Sequence, residues 1–193
     1  MRVSVIVTNY NYSHYIGKAL RSLLDQSLRT EDYEIIVLDD NSGDISMKLL
    51  EAYLDSIRLI RADEHKGNLA LCNEGFRRAR GQFVVRVDAD DYVNRNFLEL
   101  ESMFLIENKE FDAVSCDYYK VDTQGNRWGR YDASIEPIAC GVMFRREMLF
   151  YDDDAHIWDD VDCLKHLNVY RIPLPLYRYL QHSESLTHKV VSV

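Results

Sequence analysis

The chain has 193 residues, 47% of them hydrophobic, and its 23 basic and 32 acidic side chains give a net charge of −9. This length and apolar content predict a single domain over residues 1–193. An acidic domain has no general attraction for nucleic acid, so the charge argues against that partner. No apolar run approaches the roughly 20 residues that cross a bilayer, and the N-terminal segment lacks the layout of a secretion signal. We therefore expect a cytoplasmic protein, and peripheral contact with the inner face of the cell membrane stays open.

Strand and helix patterns alternate over residues 1–112. Short apolar runs, rich in Val and Ile, predict buried strands at residues 1–10, 33–38, 57–60 and 83–87. Apolar residues at helical spacing predict helices at residues 15–24, 45–54, 68–79 and 94–107. Ser13 and Asn94 are expected to cap the first and last helix, and Gly81 to stop the third. This alternation predicts an α/β fold with a mainly parallel sheet covered on both faces.

After residue 112 the alternation stops. Residues 113–121 and 127–131 are predicted to pair as strands around the turn Thr123-Gln124-Gly125-Asn126. Residues 159–167 have a helical pattern, and Pro173 and Pro175 separate two short predicted strands at residues 169–172 and 176–180. Because no flexible linker marks the change, a small antiparallel C-terminal portion is predicted within the same domain.

Polar side chains stand at the carboxyl ends of three predicted strands. The three groups are Thr8-Asn9-Tyr10, Asp39-Asp40 and Asp88-Ala89-Asp90-Asp91. The carboxyl ends of parallel strands meet at one edge of a sheet, where ligands of open α/β folds bind. Each group alone is typical of a turn or a helix cap, but the coincidence of three predicts one shared site.

The most specific of these groups is Asp88-Ala89-Asp90-Asp91. Carboxylates this close repel one another, and a bound divalent cation would relieve the repulsion. Oxygen ligands favour Mg²⁺ or Mn²⁺, usually through one or two carboxylates plus substrate phosphates. Such a cation would also let an acidic edge accept a nucleoside diphosphate, because it reverses the local charge. A helix cap with solvated neighbours is the structural alternative for the same four residues.

Five segments, in this order, resemble the family 2 glycosyltransferases over about residues 3–186. Residues 3–11 are similar to the family's opening strand, and Val37-Leu38-Asp39-Asp40-Asn41-Ser42 to its second motif. Residues 75–91 resemble the third motif, which ends in the Asp-x-Asp signature. Trp158-Asp159-Asp160-Val161-Asp162 resembles the later acidic motif, and residues 171–186 resemble the tail. The resemblance implies the GT-A fold, a Rossmann-like, mainly parallel sheet flanked by helices.

The resemblance also implies a division of the chain. Residues 1–112 correspond to the nucleotide-sugar-binding half, and residues 113–193 to the acceptor-binding half. Thr8, Tyr10 and Asp40 match positions that bind the nucleotide base, and Asp39 lies beside them. Asp88 matches the first signature carboxylate, which faces the ribose or the metal.

Three further positions carry implied roles near the diphosphate. Asp90 matches the second signature carboxylate, which binds the metal that holds the diphosphate. Asp160 matches the catalytic base of inverting members. His182 lies where relatives place a histidine close to the diphosphate.

Two departures from the family pattern bear on the site. The acidic motif usually has Glu where this chain has Asp159, which shortens one side chain and keeps the neighbouring base. Many members carry Arg where this chain has Cys72, so a phosphate contact is missing or comes from elsewhere. Candidates for that contact are Lys66, Arg77 and Arg86. The other histidines, His65 among them, have no ligand-like spacing and are expected at the surface or in packing.

Together these matches predict an inverting, metal-assisted glycosyltransferase. It would move a sugar from a nucleoside diphosphate, UDP above all, to an acceptor hydroxyl of a glycan or a glycolipid. Asp160 would take the acceptor proton, and Mn²⁺ or Mg²⁺ at Asp90 would stabilise the departing diphosphate. One alternative is a nucleotidyltransferase, which usually has a Gly-rich, basic loop after its first strand. Another is a Mg²⁺-binding receiver-like domain, which would leave the segment after residue 112 without a role. No sequence feature indicates an oligomeric state.

Overall fold

Four parallel strands form the first part of the sheet in the computed structural model, which describes residues 1–150 and 161–182. Their order is β3-β2-β1-β4. Helices connect them, and every residue of the central strand is buried because helices cover both faces. In chain order the elements are β1 (Val3–Asn9), α1 (Ile16–Leu24), β2 (Tyr33–Asp39), α2 (Ser46–Leu50), β3 (Arg58–Arg61), α3 (Asn68–Arg78) and β4 (Phe83–Arg86).

The rest of the chain extends the same sheet with mixed pairing. The order continues from β4 as β8-β6-β9-β5, and β7 pairs with β6 outside this row. Strand β9 runs parallel to β6, whereas β5, β7 and β8 make antiparallel pairs. The elements are β5 (Tyr92–Val93), α4 (Phe97–Glu107), β6 (Ala113–Val121), β7 (Arg127–Tyr131), β8 (Met143–Arg145) and β9 (Val169–Leu180). The predicted parallel α/β sheet with an antiparallel portion is therefore confirmed.

Two hydrophobic clusters lie on the two faces of the sheet. Alternate residues of β1 face opposite sides, as a strand requires. Val5 and Val7 pack in the cluster that contains Leu20 of α1, and Ile6 packs in the cluster that contains Phe76 of α3. The helices are thus fixed on either side of the strand ends. Among the described residues, no helix is long and apolar enough to cross a bilayer.

The C-terminal strands differ most from the sequence expectation. The prediction of separate strands at residues 169–172 and 176–180 was wrong, because β9 is continuous from Val169 to Leu180. The register with β6 shifts on both sides of Asp117, so Ile172 and Pro175 pair with consecutive residues of β6. This bulge leaves Pro173 out of the ladder, where its missing N–H breaks no pair. Strands β5 and β8 were not predicted, since two or three residues carry no usable periodicity.

Several predicted element ends also differ. Ser13 does not cap α1; its N–H donates to the Asp44 carboxylate over 2.9 Å and the helix begins at Ile16. Gly81 does not stop α3, which ends at Arg78. A Cβ at Gly81 would lie 2.5 Å from the Ser4 nitrogen, so glycine is needed there for close packing on β1. The helix predicted at residues 159–167 is a 3₁₀ helix over Val161–His166, and residues 159 and 160 lie outside the described part.

Candidate functional site

The carboxyl ends of β1, β2 and β4 border one cleft with a volume of about 390 Å³. Because these strands are parallel neighbours, the residues that follow them meet at the same sheet edge. Five of the predicted site residues line this cleft, namely Thr8, Tyr10, Asp40, Asp88 and Asp90. The structure therefore brings together the predicted base-binding and metal-binding positions.

Asp40 forms the floor of one end of the cleft. Its carboxylate accepts hydrogen bonds from the backbone N–H groups of Lys66 and Gly67, at 2.7 and 2.8 Å. The His65 Nδ1 lies 2.7 Å from the second oxygen of the same carboxylate. These contacts tie the loop before α3 to the end of β2. Only 3% of the Asp40 side chain is exposed, so its charge depends on these donors for solvation.

Asp39 and Lys66 are not brought into this cleft. Asp39 is fully buried, and its carboxylate accepts hydrogen bonds from the side chains of Ser42 and Asn9, at 2.6 and 2.8 Å. It therefore stabilises the turn after β2, where Asn41 has a φ of 58°. Asp39 and Lys66 instead border a second cavity of about 340 Å³, lined by residues of β3 and α3.

Asp88 begins the acidic loop and faces a buried cation. The Nε atom of Arg86, which is 8% exposed, lies 3.0 Å from a carboxylate oxygen of Asp88. The two atoms do not align as a hydrogen bond, so the contact is an ion pair. Arg86 thereby offsets part of the negative charge at this end of the cleft and leaves Asp90 as the less compensated carboxylate.

Asp90 points into the cleft and contacts a residue that follows β9. Its carboxylate lies 2.8 Å from the Nε2 atom of His182, whose ring packs against Tyr15 with the centroids 4.5 Å apart. Burial raises the pKa of Asp90, and the charge of Asp88 raises it further, while the contact with His182 opposes the rise. A carboxylate whose charge is costly in this way gains most from a nearby cation.

Asp91 supports the loop from behind and does not line the cleft. Its two oxygens accept hydrogen bonds from the Leu180 N–H at 2.7 Å and the Tyr177 hydroxyl at 2.8 Å. Burial, followed by the charges of Asp90 and Asp88, holds the pKa of this carboxyl well above its usual range. The tail of β9 thus fixes the position of the acidic loop.

A second group of ligand-type atoms lies beneath this loop. Asp88, Asp91 and Cys140 present side-chain atoms within 4.8 Å of one another. Asp91 already uses both oxygens, and burial holds the pKa of the Cys140 thiol well above its usual range. A protonated thiol is also a poor ligand for Mg²⁺ or Mn²⁺, so the donor chemistry favours a cation on the cleft side, at Asp90.

The sequence interpretation missed four polar or aromatic side chains that line the cleft. They are Tyr12, His65, Asn68 and Tyr179. His65 was expected at the surface or in packing. It follows β3, however, and the carboxyl end of β3 lies at the same sheet edge as those of β1, β2 and β4. That position was the available signal. Asp159 and Asp160 lie outside the described residues, so their predicted roles stay predictions.

Comparison with known proteins agrees with this geometry. The family model described as glycosyl transferase family 2 matches residues 4–167. The curated sequences include poly(ribitol-phosphate) beta-N-acetylglucosaminyltransferase TarS of Staphylococcus aureus (strain Mu50), 33% identical over 111 residues, which cover 56% of this chain and 19% of TarS. Glycosyltransferase GlyG of Streptococcus pneumoniae (serotype 4) is 29% identical over 152 residues, or 75% of this chain and 50% of GlyG.

Solved structures show the same fold. TarS 1–349 of S. aureus in complex with UDP-GlcNAc superposes with a TM-score of 0.82 at 22% identity, covering 100% of this chain and 62% of that one. Mannosyltransferase PcManGT from Pyrobaculum calidifontis, in complex with GDP-Man and Mn²⁺, gives 0.74 at 20% identity, over 95% and 58% of the two chains. The present chain thus spans between 19% and 62% of the length of these relatives.

Proposed function

The chain belongs to glycosyl transferase family 2, and from this premise we propose that it transfers a sugar from a nucleoside diphosphate to an acceptor hydroxyl. The observation that carries the proposal is the single cleft that joins Tyr10 and Asp40 at one end to Asp88 and Asp90 at the other. A nucleotide sugar needs both ends, one for the base and one for the diphosphate. Family membership sets aside the nucleotidyltransferase and receiver-domain alternatives.

The base of the donor is proposed to bind at the Tyr10 end. The ring of Tyr10 is exposed enough to stack on a planar base, and the Asp40 carboxylate accepts hydrogen bonds. Thr8 lies beside them, with its hydroxyl bonded to the Asn68 side chain at 2.6 Å. UDP is the proposed nucleotide, supported by TarS, whose structure is of a complex with UDP-GlcNAc. The GDP-Man complex of PcManGT keeps GDP as the main competitor, with dTDP a third donor nucleotide.

A divalent cation, Mn²⁺ or Mg²⁺, is proposed to bind at Asp90. The residues present fit such a cation, because the carboxylate oxygens are hard ligands and the charges of Asp88 and Asp90 repel each other without one. His182, 2.8 Å from Asp90, either orients this carboxylate or shares the cation with it. When bound, the cation supplies positive charge against the departing diphosphate.

Asp160 is proposed as the base that takes the acceptor proton in an inverting transfer. A positioned base contributes about 10²–10⁴ in rate, so Asp160→Asn should lower turnover by that factor and leave the dissociation constant of the donor unchanged. Asp55→Asn, at an exposed position that does not line the cleft, is the matched control. Near-normal turnover of Asp160→Asn would show that another group takes the proton.

The acceptor is proposed to bind against the part of the chain after residue 112. A glycan or lipid-linked glycan is the proposed class, supported by TarS, whose name gives poly(ribitol-phosphate) as its acceptor. A lipid-linked acceptor would bring the protein to the inner face of the cell membrane.

The proposed function is tested by donor hydrolysis. The full chain is incubated with Mn²⁺ and a panel of UDP, GDP, dTDP, ADP and CDP sugars, and release of the nucleoside diphosphate is measured. We expect release from a UDP sugar, and none from the Asp90→Asn variant. If a nucleoside triphosphate and a sugar phosphate instead react to give pyrophosphate, the protein is a nucleotidyltransferase and the proposal is wrong.

A further inference from the structure

His65 occupies the base end of the cleft in an unusual way. Its imidazole stacks on the ring of Tyr10, with the centroids 4.1 Å apart and the planes 24° from parallel. Its Nδ1 atom lies 2.7 Å from the Asp40 carboxylate. Because a carboxylate oxygen only accepts, this nitrogen carries the hydrogen and donates it. One planar nitrogen ring thus stacks on Tyr10 and donates an N–H to Asp40 at the same time.

A nucleobase bound at this end would make the same two contacts. Uracil, thymine and guanine each have a planar ring with a ring N–H, whereas adenine and cytosine have no ring N–H on their pairing edge. With the two centroids 4.1 Å apart, no third ring fits between His65 and Tyr10. The base and the imidazole therefore compete for one face of Tyr10 and one oxygen of Asp40.

We propose that the His65 side chain occupies the base subsite of the nucleotide-free protein, where it makes the contacts that the donor base would make. It moves out of the subsite when the nucleotide binds. The inference rests on the proposed function, and it adds a residue that sets nucleotide affinity. It also defines the class of base, since a ring N–H replaces the donor that Asp40 loses.

The structure allows this exchange at low cost. The His65 side chain is 54% exposed, so it can rotate into solvent without opening the core. The backbone N–H groups of Lys66 and Gly67 keep their bonds to Asp40 while it does so. Asp40 is almost completely buried and would lose one of these three donors if nothing replaced the imidazole. A base with a ring N–H satisfies that need.

The competition lowers the measured affinity by a calculable factor. Apparent affinity falls with the fraction of molecules whose subsite is open. In the closed state, His65 occupies the base subsite. If this state is stabilised by about as much as one hydrogen bond contributes, the subsite is open in a minority of molecules. Removal of the His65 side chain should then tighten nucleotide binding about fivefold. We therefore expect His65→Ala to bind UDP about fivefold more tightly than the parent protein.

The test is calorimetric titration of the full chain with UDP and, separately, with inorganic pyrophosphate. Glu64→Ala, an exposed neighbour in the same loop, is the control for loop perturbation and should stay within about twofold of the parent. Pyrophosphate does not reach the base subsite, so His65→Ala should bind it no more tightly than the parent does. Nitrogen-15 spectra of the histidine rings should show a His65 shift with UDP and none with pyrophosphate.

The outcomes separate the two proposals. If the parent binds UDP and His65→Ala binds it equally well or more weakly, His65 is not a competitor, and the proposed function stands. If His65→Ala binds pyrophosphate more tightly as well, the effect is one of loop or charge, and the inference is wrong. If neither protein binds any nucleoside diphosphate, the proposed function falls and the inference falls with it.

Discussion

The β3-β2-β1-β4 region and the β8-β6-β9-β5 region contribute to the cleft in different ways. The first supplies the side chains that face a ligand, among them Tyr10, Asp40 and Asp90. The second contributes Tyr179 to the cleft lining, but it mainly supplies groups that hold the acidic loop in place, namely Tyr177, the Leu180 N–H and His182. The geometry of a loop at residues 88–91 therefore depends on a strand end about ninety residues later in the chain.

The division predicts different consequences for changes in the two regions. Ligand-facing changes should abolish turnover and leave the fold intact. Supporting changes should weaken the cation site or the fold.

Asp90→Asn should cause the largest loss. It removes the charge proposed to hold the cation, and a loss of about 4 kcal/mol of transition-state stabilisation lowers turnover about 10³-fold. The melting temperature should stay the same or rise, because burial and Asp88 make this charge costly in the folded state. Steady-state turnover and thermal unfolding measure the two quantities. A thermally destabilised variant with normal turnover would reverse the assignment of Asp90 to the ligand-facing set.

His182→Ala should act through Asp90 and not through the donor base. Loss of a residue that orients a metal ligand, or that binds the metal beside it, lowers metal affinity about 10–100-fold. The Mn²⁺ concentration that gives half-maximal turnover should therefore rise by that factor. His166→Ala, an exposed histidine of the second region, is the control and should leave it unchanged. A changed turnover at saturating Mn²⁺ with an unchanged Mn²⁺ requirement would argue for a different role.

Glu101 lies in α4, apart from the side chains that line the cleft and from the contacts that hold the acidic loop, and it tests the pH dependence of stability. Both carboxylate oxygens are buried and, among the described residues, have no hydrogen-bond partner of ordinary geometry. Burial holds the pKa of this carboxyl well above its usual range, and the nearby Cys116 thiol opposes the rise. The folded state then keeps a proton that the unfolded state loses above about pH 4.5. The contribution of Glu101 to the free energy of unfolding is therefore largest below that pH. It falls by up to about 1.4 kcal/mol per pH unit as the pH rises toward the pKa of Glu101 in the folded protein.

Glu101→Gln cannot ionise at this position, so the denaturant midpoint of this variant should fall less with rising pH than that of the parent. The contributions of Asp90 and Asp91 are common to both proteins. The two proteins should have similar stability near pH 4 and diverge progressively toward pH 8. Chemical denaturation across that range provides the measurement. Parallel curves for the two proteins would show that Glu101 is charged or solvated in the folded state.

Tyr177→Phe should have the smallest effect, and that effect should be a lower free energy of unfolding with turnover retained. It removes the hydroxyl that donates to Asp91 and leaves a buried carboxyl oxygen short of a partner, which costs about 1–3 kcal/mol. Tyr170→Phe removes a hydroxyl from a more exposed ring and should cost less than about 0.5 kcal/mol. Loss of turnover without loss of stability would place Tyr177 in the ligand-facing set.

The two regions also differ in how far their structure could be predicted from the sequence. The first region was predictable because its signals are local: apolar runs end in polar residues, and parallel pairing brings those ends together. The Asp39-Asp40 pair shows the limit, because both residues share one motif, yet Asp40 lines the cleft while the Asp39 carboxylate accepts from the Ser42 N–H in the turn after β2.

The supporting contacts were not predictable in the same way. Asp91 meets Leu180, and Asp90 meets His182, through a strand whose register depends on a bulge beside Asp117. No local pattern encodes a register shift across a parallel pair so distant in the chain. His182 was suggested only by family resemblance, and His65 by nothing that the spacing of histidines provides.

Calorimetric titration of UDP into the full chain, with Mn²⁺ and then with a chelator, most directly tests the claim that a divalent cation at Asp90 lets a nucleoside diphosphate dock. Binding of UDP should be tighter with Mn²⁺ than with chelator in the parent protein, and equally weak under both conditions in Asp90→Asn. Equal affinity with metal and with chelator in the parent would contradict it.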